Sequence, residues 1–277
     1  MSNLEGKIRA WLDTQGYPLE MRVASIFRQA GFRVVQSDYY RDSQTEAFRE
    51  LDVVASVDHR IGNSLIRIQF IIECKSSRSK PWLLFCSRNT AIAPAARVAQ
   101  RTASKLASVA LSRVAQREEI QNLELFQIVD PPAYGATQAF TTGSDVVYAA
   151  LTGVGAAVSA RAREVDGQRR FKQSFCIILF PVVAVEGQLF SCILQDDATV
   201  NIAETQRGTL LWRNPLAGEP HTIVTILTDR ALKDLADAAI TSANNFFGLA
   251  QAEFRKRIQP AGENSTSGIG MITHGIA

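Results

Sequence analysis

The chain has 277 residues, of which 46% are apolar and 21% charged, a balance that excludes global disorder and leaves room for one large core. The net charge of +3 is only mildly basic and by itself argues for no partner. The longest nearly apolar run, Phe175 to Val185, is interrupted by Pro181 and falls well short of the roughly 20 residues that cross a bilayer, so no membrane association is expected.

A first helix is predicted over Pro18 to Ala30, with Pro18 suited to the opening turn and Gly31 to the stop. Leu19, Val23, Ile26, Phe27 and Ala30 make its apolar stripe. A strand follows at about Phe32 to Tyr39. After a polar loop over Asp42 to Ala47, two alternating segments run from Phe48 to Val57 and from Ser64 to Lys75. Gly62-Asn63 between them is a favourable two-residue hairpin turn, with Asp58-His59-Arg60 as a wider alternative. With the tight turn, Asp58 faces Arg67, Ala55 faces Phe70, Val53 faces Ile72 and Asp52 faces Glu73. An opposite-charge pair and two apolar pairs in one register support that choice, and a slip by one would turn the buried faces outward.

Residues 90 to 117 read as one basic amphipathic helix, with Arg97, Arg101 and Lys105 spaced four apart. The Pro/Gly/Thr-rich stretch Asp130 to Gly143 reads as a connection to a helix from Ser144 to about Glu164, capped by Ser144 or Asp145. Ser174 to Val185 reads as a buried strand, turned by Glu186-Gly187 into a partner from Gln188 to Gln195. His221 to Thr228 is a further strand, and Asp229 opens a long helix to about Ile258. Residues 196 to 258 either complete the sheet or form an interface, and the tail from Pro260 is expected to be mobile. The expected fold is α/β, a mixed central β-sheet flanked by helices, in a single domain over 1–259 with its core at about 17–195.

Cys74, Cys86, Cys176 and Cys192 form no CxxC pair, and three of them sit in apolar runs. That usage argues against structural zinc and fits a reducing cytoplasm, as does a start, Met1 to Glu5, unlike a secretory signal. His59, His221 and His274 lie far apart with no motif around them. Nine basic residues and no acid lie between Cys74 and Arg117, an electrostatic footprint for a polyanion unless it is only a solvated face. Gly153-Val154-Gly155 lacks the third glycine of a dinucleotide loop, and no Walker lysine, HExxH or GxSxG motif is present.

The hairpin carries the chemistry. In the proposed register the Cβ atoms of Asp52 and Glu73 lie about 4.5–5.5 Å apart. Two carboxylates that close repel unless a proton or cation separates them. Lys75 adds a cation at the same rim, and oxygen ligands without His or Cys favour Mg²⁺ or Mn²⁺. Such a set can polarise a phosphodiester, activate water and offset developing charge. Ser76, Ser77, Arg78, Lys80 and Trp82 follow directly, placing cations for phosphate contacts and an aromatic for base stacking or for anchoring the loop.

Glu20 in the first helix, Asp52 in Glu50-Leu51-Asp52-Val53-Val54, and Glu73 and Lys75 in Ile72-Glu73-Cys74-Lys75-Ser76 together resemble the signature of the PD-(D/E)XK, or restriction-endonuclease-like, nucleases. The resemblance covers about residues 17 to 82, and Leu51 stands where the family has its nominal proline. It implies a restriction-endonuclease-like core with a C-terminal elaboration. It also implies Asp52 and Glu73 as metal ligands, Glu20 as the helix carboxylate completing the site, and Lys75 as the residue that positions or activates water. The expected activity is metal-dependent endonucleolytic hydrolysis of DNA, RNA not being excluded, in bacterial or phage defence or repair. Arg78, Lys80, Arg97, Arg101 and Lys105 are the expected nucleic-acid contacts, and a homodimer or a defence-system protein the expected partner. The rival expectation is a non-catalytic nucleic-acid-binding module on the same fold. Residue by residue, a plainer reading has Glu20 favouring its helix N-terminus and Glu73 with Lys75 forming a strand-end pair.

Overall fold

A computed structural model describes residues 3–258 except 13, 43–44, 63, 144, 168–174 and 214–220. Pro18 and Gly31 bracket a helix as their chemistry requires. This helix is α2 (Tyr17–Gln29), preceded by α1 (Asn3–Leu12), and Gly31 takes φ 105 just beyond its end. Leu19, Val23 and Phe27 of the expected stripe are fully buried.

Three strands follow, β1 (Arg33–Arg41), β2 (Phe48–Ile61) and β3 (Ser64–Cys86). The β2–β3 hairpin has the register expected from the Gly62-Asn63 turn: Val53 pairs Ile72, Ala55 pairs Phe70 and Asp58 pairs Arg67. Gly62 adopts φ 58, while Asn63 lies outside the described residues. The charged pair closes as a two-bond ion pair, Arg67 Nε and Nη2 donating to Asp58 at 2.6 and 2.7 Å.

The basic segment is not one helix. It forms α3 (Pro94–Ala99) and α4 (Lys105–Val114), followed by α5 (Glu118–Gln121) and a 3-10 turn at Glu124–Phe126. Between α3 and α4 the chain runs extended along β5 (Phe175–Leu194), with Ser104 N donating to Ile177 O and Leu179 N to Thr102 O. A strand edge with unpaired amides and carbonyls is costly to leave open. Covering it outweighs the helical pattern of residues 100–104.

Asp130 to Gly143 also departs from its reading as a connection, because Ala133–Gln138 forms strand β4 against the end of β3. Helix α6 (Val146–Gly167) is capped by Asp145, whose Oδ1 accepts from Val147 N and Tyr148 N; Ser144, the other candidate cap, lies outside the described residues. Strand β5 does not turn at Glu186-Gly187. A Cβ at Gly187 would lie 2.3 Å from Ser77 O, so this glycine answers a close approach of two strands.

The undecided region completes the sheet through β6 (Val200–Thr205), β7 (Arg207–Trp212) and β8 (Thr222–Thr228), and ends in α7 (Leu232–Ile258). A 3-10 turn at Asp229–Ala231 leads into α7. The tail from Pro260 lies outside the described residues.

The result is a mixed eight-stranded sheet with helices on both faces. β3 is its axis, antiparallel to β2 and β4 and parallel to β5. The pairings β3–β4–β7–β8–β5 return to β3, a circuit whose β4–β7 step is the Ala133–Leu210 bridge. One face packs Val53, Ala55, Ile68, Phe70 and Ile72 under α2, α4 and α7. The other packs Val54, Ile71, Trp82, Leu84 and Ile226 with α6. All four cysteines are free and buried, and no helix among the described residues is long and apolar enough to cross a membrane.

Candidate active site

Strand alternation slips at Asp52. Leu51 and Val54 are three apart yet belong to the same core cluster, while Val53 belongs to the other. The register sets Ser37 of β1 opposite Asp52, and Ser37 has a left-handed φ of 52. A left-handed serine marks a local distortion, and here it lies across from the slip. The β2–β3 ladder ends at Val53–Ile72, so Asp52 and Glu73 do not continue it as a backbone pair. The Asp52 side chain takes over instead, with Oδ2 accepting from Cys74 N at 2.7 Å. Its carboxylate is thereby fixed on β3 at the residue between Glu73 and Lys75.

Glu73 and Lys75, two apart on one strand, share a side. Lys75 Nζ donates to Glu73 Oε1 at 2.5 Å, and the side chains keep 28% and 18% of their exposure for Lys75 and Glu73. Partial burial makes the pair stronger than a solvated one while leaving both within reach of a substrate. Glu20, in the first turn of α2, lies near enough to feel the charges of this group. The position of a Cβ at Gly16 would be 3.6 Å from Glu20 Oε1, which places this carboxylate over the helix start.

The charges act on one another. Burial, then the Asp52, Glu50 and Glu73 charges, raise the Glu20 carboxyl above its usual range against the pull of Lys75. Asp52 is raised by burial, which outweighs the Cys74 amide and Lys75, with Glu50 adding to the rise. Glu73 is raised by burial and by Asp52, more than Lys75 lowers it. For Lys75, burial works against the ammonium, yet Glu73 and Asp52 outweigh it and hold the group charged. The Cys74 thiol is pushed well up by burial and then by these carboxylates, which disfavours its thiolate.

Three carboxyls raised by burial and mutual repulsion make a centre of negative potential that a hard cation would relieve. Among the described residues no three His, Cys, Asp or Glu side chains converge closely enough to hold a metal ion unaided. That is the ordinary situation for Mg²⁺, which takes one or two carboxylates and completes its shell with water and phosphate oxygens. The all-oxygen donor set of Asp52 and Glu73, with Glu20 nearby, fits such an ion.

The expected basic residues disperse. Arg78 is exposed next to the site, its Nη2 donating to Glu186 Oε1 at 3.0 Å. Lys80 is half-buried, its carbonyl accepting from Ser77 Oγ. Arg97 donates from Nε to Ile92 O within its own segment, and Lys105 is exposed at the start of α4. Arg101 does not share an exposed face with them: the extended Thr102–Ser104 segment carries it inward, and it is 6% exposed. Trp82 is fully buried in the α6-side core, so it anchors rather than stacks on a base. Exposing a side chain of that size would cost about 3 kcal/mol or more.

Sequence reading misses Glu186, which the Ser76–Glu186 pairing of β3 with β5 sets next to Lys75. Its carboxylate accepts from Ser76 Oγ at 3.0 Å, from Arg78, and from Arg22 of α2. Burial works to raise it, but the bonds from Arg78, Ser76 and Arg22 prevail and hold it below the usual carboxylate range. The one signal was Gly187, a glycine between two alternating strand segments.

No protein-family model matches the chain, and neither a curated protein nor a solved structure shows significant similarity to it.

Proposed function

We propose that the protein is a metal-dependent nuclease that hydrolyses phosphodiester bonds in DNA, on a restriction-endonuclease-like core. One observation carries the reading: the β2–β3 register, with Asp52 bonded to Cys74 N, gathers two carboxylates and a lysine where that ladder ends, within electrostatic reach of a third carboxylate on α2. Asp52 and Glu73 would hold Mg²⁺ or Mn²⁺, with Glu20 as a further oxygen donor. The ion would supply charge neutralisation at the scissile phosphate and a bound water of lowered pKa. Lys75, kept protonated by its carboxylate neighbours, orients the attacking water and donates to a phosphate oxygen as charge develops there. Glu73, whose affinity for protons is raised, accepts a hydrogen bond from that water. Arg22 and Arg78, exposed around Glu186, lie where the flanking backbone phosphates would run. Defence or repair of DNA, with a partner copy or protein supplying the second cut, is the setting the family resemblance suggests.

The test incubates wild type and Lys75→Ala with supercoiled plasmid, single-stranded DNA and RNA in Mg²⁺, Mn²⁺ or EDTA. Cleavage that requires both metal and Lys75 is the expected result, and the substrate cut identifies the nucleic acid. Turnover unchanged in Lys75→Ala or Asp52→Ala would sink the mechanism. Salt-sensitive, metal-independent binding without cleavage would assign the protein to the non-catalytic class instead.

A further inference from the structure

Away from the carboxylate centre, two arginines meet at a cavity without the partners that buried guanidiniums normally have. Arg101 is 6% exposed, and its Nε is buried with no hydrogen-bond acceptor among the described residues. Its guanidinium lies 5.1 Å from the ring centre of Phe180 and 6.0 Å from that of Phe126. The rings answer its charge in part and its N–H donors not at all. Arg207, at the start of β7, points another buried and unpartnered Nε at the same region. Both line a cavity of about 20 Å³, together with Glu124, Gln127, Phe180 and Thr225. A single water needs about 10–15 Å³, so the cavity admits the oxygens of a small head group whose remainder lies toward the open side.

The charge balance is one-sided. Burial, then the Arg207 and Arg97 charges, bring the Arg101 pKa down to about 9, while Glu124, which also lines the cavity, offsets part of the burial of Arg207. A buried cation facing another cation is unfavourable unless an anion sits between them. Guanidinium forks match groups that present two oxygens in a plane, which selects an oxyanion over a halide.

We propose that Arg101 and Arg207 form a binding site for a small oxyanion head, a carboxylate or a phosphoryl group. The site shares no lining residue with Glu20, Asp52, Glu73 or Lys75. Its floor is formed by Phe70 and Phe180, stacked at 5.1 Å on the paired strands β3 and β5, so occupancy braces the strands that carry the candidate active site. The inference does not depend on the nuclease reading.

The experiment follows thermal unfolding of the full chain, exchanged into buffer free of oxyanions, while inorganic phosphate, acetate or sodium chloride is added at matched ionic strength. Phosphate or acetate is expected to raise the midpoint saturably where chloride does not, and the more effective of the two identifies the head group. Arg101→Met should abolish that response, and Arg207→Met should weaken the apparent affinity about tenfold or more. Lys75→Ala, which leaves this cavity intact, should respond as wild type does. Should Arg101→Met not fold, Arg101→Lys replaces it, with a weakened response expected from loss of the fork. Equal shifts with chloride, or full responses in both Arg101→Met and Arg207→Met, would overturn the proposal.

Discussion

Asp52 Oδ2 accepts a hydrogen bond from the Cys74 backbone amide at 2.7 Å, so a side chain takes over where the β2–β3 ladder stops. The bond gives Asp52 two separable roles, one in the backbone and one in charge. Asp52→Asn keeps an oxygen acceptor, whereas Asp52→Ala leaves a half-buried amide unpaired and should cost about 1–3 kcal/mol. The Asp52 carboxyl is raised in the folded state, so its charged form opposes folding. A raised carboxyl favours the fold below its unfolded pKa, and that contribution is lost as pH rises through the folded value. Asp52→Asn is therefore expected to match or exceed wild-type stability at neutral pH, by about 1 kcal/mol, while cleavage is lost. Urea midpoints read beside plasmid nicking separate the roles; equal destabilisation by Asn and Ala would remove the electrostatic part.

Lys75 is the second lever. Removing it leaves Glu73 buried beside Asp52 without its cation, which should raise the Glu73 carboxyl further. Lys75→Met is expected to lower cleavage by about a hundredfold or more, as loss of one charge-stabilising donor does elsewhere. Its stability should fall as pH rises, because the unpaired Glu73 must then ionise in place. Lys75→Met with Glu73→Gln should recover that stability without recovering cleavage. A double variant no more stable than the single one at alkaline pH would show that the pair is not coupled.

Glu186 behaves in the opposite sense. Its pKa is lowered, so its stabilisation is present above the unfolded glutamate pKa and disappears as pH falls through the folded value. Glu186→Gln should lose about 1 kcal/mol at neutral pH and match wild type in acid. It also removes a negative charge beside Arg22 and Arg78, both exposed, and so makes this surface more positive toward phosphate. Tighter DNA binding with a steeper salt dependence is expected, read by gel shift at two ionic strengths.

The hairpin was legible in the sequence because its turn, alternation and charge pair all impose one register, and Asp58 with Arg67 confirms it. The break in the expected helix over 90–117 was not, because the basic spacing there is helical and the open edge of β5 draws Thr102–Ser104 into an extended run. Arg101 shows the consequence: its spacing from Arg97 and Lys105 suggests one face, and a tertiary contact reverses its burial. That Asp52, Glu73 and Lys75 come close together was legible from local order on two adjacent strands. Glu186 depends on a parallel pairing across more than a hundred residues, which no local pattern encodes. Strand β4 was hidden by the Pro and Gly composition around it, as its pairing to β3 comes from position rather than propensity.

Gly187 is the position where that long-range pairing is most exposed to test. β3 bulges between Ser77 and Trp82, so that its residues 78–81 face Gln188 alone on β5. The bulge drives Ser77 O against Gly187, where a Cβ would stand 2.3 Å from the oxygen and 2.9 Å from its carbon. Backbone cannot move aside as a side chain can, so Gly187→Ala should cost about 2–3 kcal/mol and shift Ser76 and Glu186 beside the site. Gly208→Ala is the control, because its Cβ would meet Leu84 Cδ1 at 2.1 Å, the mobile end of a side chain. Rotation of Leu84 should hold that cost to about 1–2 kcal/mol and leave cleavage per folded molecule unchanged. Equilibrium unfolding and plasmid nicking on both variants decide the matter: a Gly187→Ala protein as stable and active as wild type would mean that β5 does not run unbroken past Glu186.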